Sequence, residues 1–257
     1  MIQYLLEVQR LAERLMGQRD QLEAAAERAA QTIAGGHWVR VFGSGHSVLP
    51  VQDTFPRYGG YVGFYPVMDP RLMWTTVSGP GGAEEVLWLE RREGYMEVFL
   101  RHERWDPQDM LVVISHGGQN AAPVEVALEG RRRGMFVVAV TSGENHRTKP
   151  ATHSSGLKIG DIADIVIDNG VTSEDAVVEV PGVAGKVGGL STLASIAVMQ
   201  TLVSETALRL AERGYAVKPF ASPNAEGVEP DRNEQVYVQF RDRVARTTAA
   251  ALNADRR

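Results

Sequence analysis

Two short stretches hold most of the residues able to do chemistry. One is Gly43-Ser44-Gly45-His46-Ser47 and the other is Ser115-His116-Gly117-Gly118-Gln119-Asn120. Each follows an apolar run and precedes a helical pattern. Glycine lets the backbone turn tightly and approach a ligand closely. Serine adds hydroxyl donors without adding charge. The start of the following helix offers free N–H groups and a partial positive charge. Such a turn suits an anion, and a phosphate above all. Ser191 and Thr192 open a later, longer helix and could add two hydroxyls of the same kind. Asp53, on the helix after the first turn, is a carboxylate available as a base. His46, His153 and His116 are the histidines closest to these turns in type and context.

A dinucleotide site is one reading of the first turn. Its fingerprint needs a third glycine where this chain has Val48. In its favour, Asp69 follows the second strand-like run, where a ribose-binding acid would stand. The hydroxyl-rich turn fits a smaller phosphate-bearing ligand better. A plain strand-to-helix turn and a surface role for Asp53, compensating a helix dipole, are the bland alternatives. His46 could equally serve only to hydrogen-bond its turn. Lys158 and Lys186 read as partners of surface carboxylates. No G-x-S-x-G elbow and no H-x-x-x-H pair occurs, so neither a hydrolase triad nor a metal site is expected.

The elements that position these turns follow from periodicity. Five strand-like runs span Val39–Phe42, Tyr61–Val67, Met110–Ile114, Phe136–Val140 and Ile162–Ile167. The third is continuously apolar, as in a parallel strand covered on both faces. Helical patterns at Val48–Tyr58, Ala83–Phe99, Ala122–Arg133 and part of 145–160 alternate with them. The alternation predicts a three-layer α/β fold, doubly wound around a five-stranded parallel sheet. Asp175–Val180 is a candidate edge strand. Residues 1–36 predict two helices broken near Gly17, residues 37–220 the sheet core and the long helix Leu190–Arg213, and residues 221–257 a helical extension centred on Val228–Leu252. The whole chain, 1–257, reads as one domain. In an open parallel sheet, ligands bind at the carboxyl ends of the strands, so both glycine turns converge on one rim.

Composition narrows the class. The chain has 257 residues, 44% hydrophobic and 23% charged, with net charge −5. A mildly acidic chain has no general attraction for nucleic acid or for an anionic membrane. Tyr4, Trp38, Trp74, Trp88 and Trp105 do not interleave with basic residues as a single-strand binding surface would. Arg131-Arg132-Arg133 reads as a solvated helix end. There are no cysteines, so no disulfide, thiolate metal site or thiol nucleophile exists. The uncharged run Val187–Ser204 carries too many Gly, Ser, Thr and Gln residues to cross a membrane and reads as a core helix. A cytoplasmic location is expected, with no membrane contact, no nucleic acid partner and no cofactor.

Several motifs in order resemble the SIS (sugar isomerase) domain family. They are the Gly43–Ser47 turn, Arg57-Tyr58-Gly59-Gly60, the S-x-x-G-x-N turn Ser115–Asn120, Thr141-Ser142, His153-Ser154-Ser155-Gly156-Leu157-Lys158 and Ala163–Gly170. The match is closest to a stand-alone bacterial group and runs from about Leu5 to Val244. The resemblance implies a phosphosugar ligand held by Ser115, His116, Gly117, Gly118, Gln119 and Asn120, by Gly43, Ser44, Gly45 and Ser47, and by Ser191 and Thr192. It implies a homodimer or tetramer, with the first and last helices in the interface. One departure stands out. The common turn reads S-x-S-G-x-T, and here Gly117 and Asn120 replace its second Ser and its Thr, which leaves Asn120 to cap the helix.

The resemblance also implies aldose–ketose isomerisation through an enediolate, which needs a base between adjacent carbons and a group to open the ring. In phosphoheptose isomerase the base is a Glu on the helix after the first turn, with a His from the C-terminal part. Asp53 stands nearest to the first role, His46 and then His153 to the second. Glu84 and Glu85 are alternative carboxylates. The helix 190–213 carries no histidine. A non-catalytic phosphosugar sensor, and an etherase or lyase acting on an amino-sugar phosphate, are the competing expectations.

Overall fold

A computed structural model describes residues 2–254. Met1 and residues 255–257 of the expected terminal helices lie outside the described residues. Two helices open the chain, α1 (Gln3–Met16) and α2 (Arg19–Ala34), followed by β1 (Val39–Gly43), α3 (Val48–Gln52) and β2 (Phe64–Val67). Then come α4 (Ala83–Leu89), α5 (Tyr95–Leu100), β3 (Met110–Ile114), α6 (Ala121–Arg132), β4 (Phe136–Thr141), α7 (Gly143–Thr148), α8 (Ile159–Ile162) and β5 (Ile165–Asp168). The chain continues through β6 (Ala176–Glu179), β7 (Lys186–Gly189), α9 (Ser191–Glu212) and α10 (Arg232–Ala254).

The five strands form one all-parallel sheet in the order β2-β1-β3-β4-β5. Alternation along each strand divides the core. Val39, Val41, Met110, Val112 and Ile114 face α2 and α9, while Phe42, Leu111 and Val113 face α5, α6 and α8. The alanine stripe Ala25, Ala26, Ala29 and Ala30 lets α2 lie close against α9. The C-terminal helix α10 docks at the β2 edge through Val236, packed with Trp38, Phe55 and Val62. The chain leaves β1 toward β2 on one side and reaches β3 on the other. The turns after β1 and β3 therefore flank the point where strand order reverses, the usual ligand crevice of such sheets.

Several elements differ from the expectation. Residues 175–180 do not extend the main sheet; β6 pairs antiparallel with β7 in a separate two-stranded ribbon. At the last residue of β5 a side chain supplies the pairing, since Gln18 donates to Asp168 O at 2.6 Å and accepts from Asp168 N at 2.8 Å. The helix expected over 48–58 ends at Gln52, ahead of Pro56, and a residue before proline disfavours the helical region. The helix expected over 83–99 is split into α4 and α5 by Gly94, whose φ is +84°. The C-terminal helix starts at Arg232, just past Pro230.

Candidate functional site

The first turn can be made only with glycine at its start. A β-carbon on Gly43 would lie 2.1 Å from the carbonyl oxygen of Ser47. Ser44 continues in extended backbone, and Gly45 takes a positive φ of +57°. This aims the Ser44 hydroxyl at a carboxylate that arrives from α4: Ser44 Oγ donates to Oε2 of Glu90 at 3.0 Å. The third turn reaches the same group. Asn120 occupies the cap position of α6, yet its side chain makes no cap bond; Nδ2 donates to Oε1 of Glu90 at 2.6 Å. The Glu90 carbonyl also accepts from Ala122 N at 2.9 Å. Glu90 is only 8% exposed. Its burial raises the carboxyl above the ordinary range, against the opposing effect of Ser44, Arg91 and Asn120.

The third turn leaves donors uncommitted. Ser115 Oγ accepts from Gly118 N at 3.1 Å, so its own proton is free to be given. No acceptor among the described residues takes the N–H of Gly117, Gln119, Asn120 or Ala121. Gly118 has a φ of +68° and a β-carbon there would meet Thr141 Oγ1 at 2.6 Å, whereas a β-carbon on Gly117 would meet nothing within 4 Å. His116 is locked in place. Its carbonyl accepts from Ser142 N, Thr141 Oγ1 and Asn145 Nδ2. Asn169 Oδ1 accepts from Val171 N, which turns Asn169 Nδ2 toward His116 Nδ1 at 3.1 Å. That network assigns the ring proton to Nε2, a buried atom with no partner among the described residues.

Two glycine turns on the rim of a parallel sheet, both bonded to one buried carboxyl, match the sequence comparisons. Residues 3–142 match the SIS domain. The chain belongs to the SIS domain family. It is 32% identical over 230 residues to the UPF0309 protein BH0227 of Halalkalibacterium halodurans, covering 90% of each chain. It is 31% identical over 230 residues to the UPF0309 protein GK1441 of Geobacillus kaustophilus, covering 90% of this chain and 89% of that protein. Among solved structures, phosphoheptose isomerase GmhA from Neisseria gonorrhoeae superimposes with a TM-score of 0.50 at 18% identity, over 79% of this chain and 95% of that one. At that identity the likeness concerns the fold.

Other expected site residues of this SIS domain are occupied differently. Asp53 is not on the first turn of a helix but at the C-terminal cap of α3, where it pairs with Arg57 and accepts from Gln200 Nε2 at 2.8 Å. His46 is exposed, its ring edge-on to Trp74 with centroids 4.0 Å apart. His153 stands elsewhere. Its Nε2 lies 3.8 Å from both Glu93 and Glu125, beside a groove of about 690 Å³ between α5 and α6 that includes neither glycine turn. At the start of α9, Asp175 Oδ1 accepts from Leu190 N at 3.0 Å and Ser191 N at 2.7 Å. A protein carboxylate thus already sits at the helix end where Ser191 and Thr192 were expected to meet a phosphate. Ser47 is half-buried in the first turn, and the Gln119 carbonyl accepts from Thr152 Oγ1 at 2.7 Å.

Asp69 is no ribose ligand. It is buried, with Oδ1 accepting from Arg71 N and Nε at 3.0 and 2.9 Å and Oδ2 accepting from the Tyr95 hydroxyl. Glu85 takes Gly81 N at 2.7 Å. Lys158 donates to the carbonyls of His146 and Lys149, and Lys186 faces Glu174 at 3.7 Å. The residues that sequence reading missed are Glu90 and Trp74. Glu90 carried one signal: it closes the apolar run Val86-Leu87-Trp88-Leu89 as its only acid. No helix among the described residues is long and apolar enough to cross a membrane.

Proposed function

We propose that this SIS-domain chain binds a phosphorylated sugar and interconverts its aldose and ketose forms through an enediolate. The observation that carries the reading is the buried Glu90 carboxyl, bonded at once to Ser44 after β1 and Asn120 after β3. The phosphate sits on the uncommitted N–H groups of Gly117, Gln119, Asn120 and Ala121, where the start of α6 adds its dipole, and takes the Ser115 hydroxyl proton. Four neutral donors replace the hydroxyl lost at Gly117. Glu90, rather than Asp53, is the base: a carboxyl raised by burial is better matched to proton transfer near neutral pH. It takes the proton from the carbon beside the carbonyl and returns it to the neighbouring carbon, while His46 at the open edge of the turn serves the sugar oxygens. His153, in its own groove, has no part in this scheme.

A non-catalytic phosphosugar sensor is the second reading. It is favoured by the two donors that already hold both oxygens of Glu90. The chain acts as a homodimer or tetramer: Ile2, just ahead of α1, and Leu5 within it are exposed, as are Tyr237 and Val238 on α10, apolar groups that a second copy would cover. A clean monomer by light scattering at micromolar concentration would refute that.

The test of function is a thermal-shift panel of six- and seven-carbon sugar phosphates, amino-sugar phosphates and the matching free sugars. A ligand at a hundredfold excess over its Kd stabilises by about 2.7 kcal/mol. The binder is then incubated in deuterated water. Deuterium entering the sugar's carbon skeleton supports isomerisation. Binding without exchange supports the sensor.

A further inference from the structure

The proposed phosphate site lies after β3 and the proton-transfer group beside β1. The next strand end along the rim is that of β2, and it carries a cation held in place. Arg71 stands in the short helical turn Pro70–Leu72, two residues after Asp69. Its Nε donates to Oδ1 of Asp69 at 2.9 Å, and the Asp69 side chain has no exposure while that of Arg71 is 62% exposed. The guanidinium also lies over the ring of Tyr95, 5.4 Å from its centroid, and the Tyr95 hydroxyl donates to the other oxygen of Asp69. One inner nitrogen is thus held by a buried carboxylate and one flat face by a half-buried ring. The ion pair is made through Nε, on the inner side of the fork, and the exposed remainder of the group faces solvent. A guanidinium whose rotamer is already restrained loses little freedom when it takes a second anion.

The register places this group beside the site. Phe42 pairs with Val67 across β1 and β2, so the continuation of each strand sets Ser44 level with Asp69. Neighbouring strands are about 4.8 Å apart, so the ends of β2 and β3, which flank β1, are separated by about 10 Å. An open-chain sugar phosphate with an acid at its far end bridges that span, with its middle carbons over Ser44 and Glu90. The chain after Arg71 returns to the same place, since the Trp74 ring lies 3.7 Å from where a β-carbon of Gly45 would stand.

We propose that Arg71 is a second anion anchor, so that the ligand is a sugar phosphate bearing another acidic group, carboxylate or phosphate, at the end remote from the first. This rests on the phosphosugar reading above. Charge-assisted bidentate bonds from arginine serve either group, and matched pairs of ligands separate the two sources.

The experiment is titration calorimetry on the full chain with glucose 6-phosphate against 6-phosphogluconate, and fructose 6-phosphate against fructose 1,6-bisphosphate. The expected result is that one diacid binds at least about tenfold tighter than its monophosphate, and that Arg71→Gln removes the advantage while leaving monophosphate affinity unchanged. Because Arg71→Gln removes the cation facing the buried Asp69 carboxylate, the double variant Asp69→Asn with Arg71→Gln serves as the folded control: its new side-chain amide is uncharged and keeps an oxygen to accept from Tyr95. Equal binding of both members of each pair overturns the anchor and leaves the phosphosugar reading standing, as does an advantage that survives in the folded variants. If none of the four compounds binds, the anchor falls, and the phosphosugar reading is decided separately by the wider thermal-shift panel.

Discussion

Ser44 and Glu90, 46 residues apart in the chain, are joined by a 3.0 Å hydrogen bond from the serine hydroxyl to a buried carboxyl. The serine is fixed by its glycine turn and the carboxyl by the end of α4, so the contact couples a strand-end loop to a helix that reaches over it. Replacing Glu90 by Gln keeps the shape and removes the base. Turnover of the phosphosugar is expected to fall about 10²–10⁴-fold with ligand-induced stabilisation retained. Equal exchange rates in wild type and Glu90→Gln would assign the base elsewhere.

The same group predicts a pH dependence of stability. Burial holds the Glu90 carboxyl above its ordinary value of 4.5, so the folded chain binds its proton more tightly than the unfolded chain does. The favourable contribution is complete below the unfolded value and is lost as pH rises through the folded one. Glu90→Gln has no such loss. The melting temperature of Glu90→Gln relative to wild type is therefore expected to climb as pH is raised from 4 toward neutrality. A difference that stays flat across that range would show that the carboxyl is not perturbed.

Adjacent glycines in the third turn should respond oppositely. Gly118→Ala forces a left-handed backbone and a contact with Thr141, and is expected to cost about 1–3 kcal/mol in chemical denaturation. Gly117→Ser meets open space and should change stability by less than about 0.5 kcal/mol. It also adds a hydroxyl beside the free N–H groups, so inorganic phosphate should bind more tightly. Phosphate binding left unchanged by Gly117→Ser would mean that the anion does not use this turn.

Asp53 gives a contrasting outcome. Its carboxylate is engaged by Arg57 and Gln200, and it is 30% exposed. Asp53→Asn should cost about 1 kcal/mol or less, as for other solvent-screened pairs, and should leave turnover within a few-fold of wild type. Abolished turnover with intact binding would restore Asp53 as the base.

Much of the architecture was legible in the residues. The unbroken apolar run Met110–Ile114 specifies a strand covered on both faces, and the glycines at 43, 45 and 118 mark turns that a β-carbon would crowd or strain. These are local properties: hydrophobic period, strand length and backbone freedom are set by neighbours in the chain, and the α/β class with a parallel sheet follows from their alternation. The site chemistry was not local. Glu90 stands among several acids of the 84–93 stretch, and only the packing of α4 over the sheet rim buries it and brings Ser44 and Asn120, the latter 30 residues on, to its two oxygens. Asp53 looked equivalent in type until Gln200 and Arg57 closed on it. The pairing of β6 with β7 in a ribbon apart from the main sheet, and the two bonds from Gln18 to Asp168 at the end of β5, join residues that chain position alone does not connect. Residue types and turns came from the sequence alone. Which carboxylate is buried, and that the end of β2 with its Arg71 lies beside the turn after β1, was decided by long-range packing, because desolvation and strand order depend on neighbours in space.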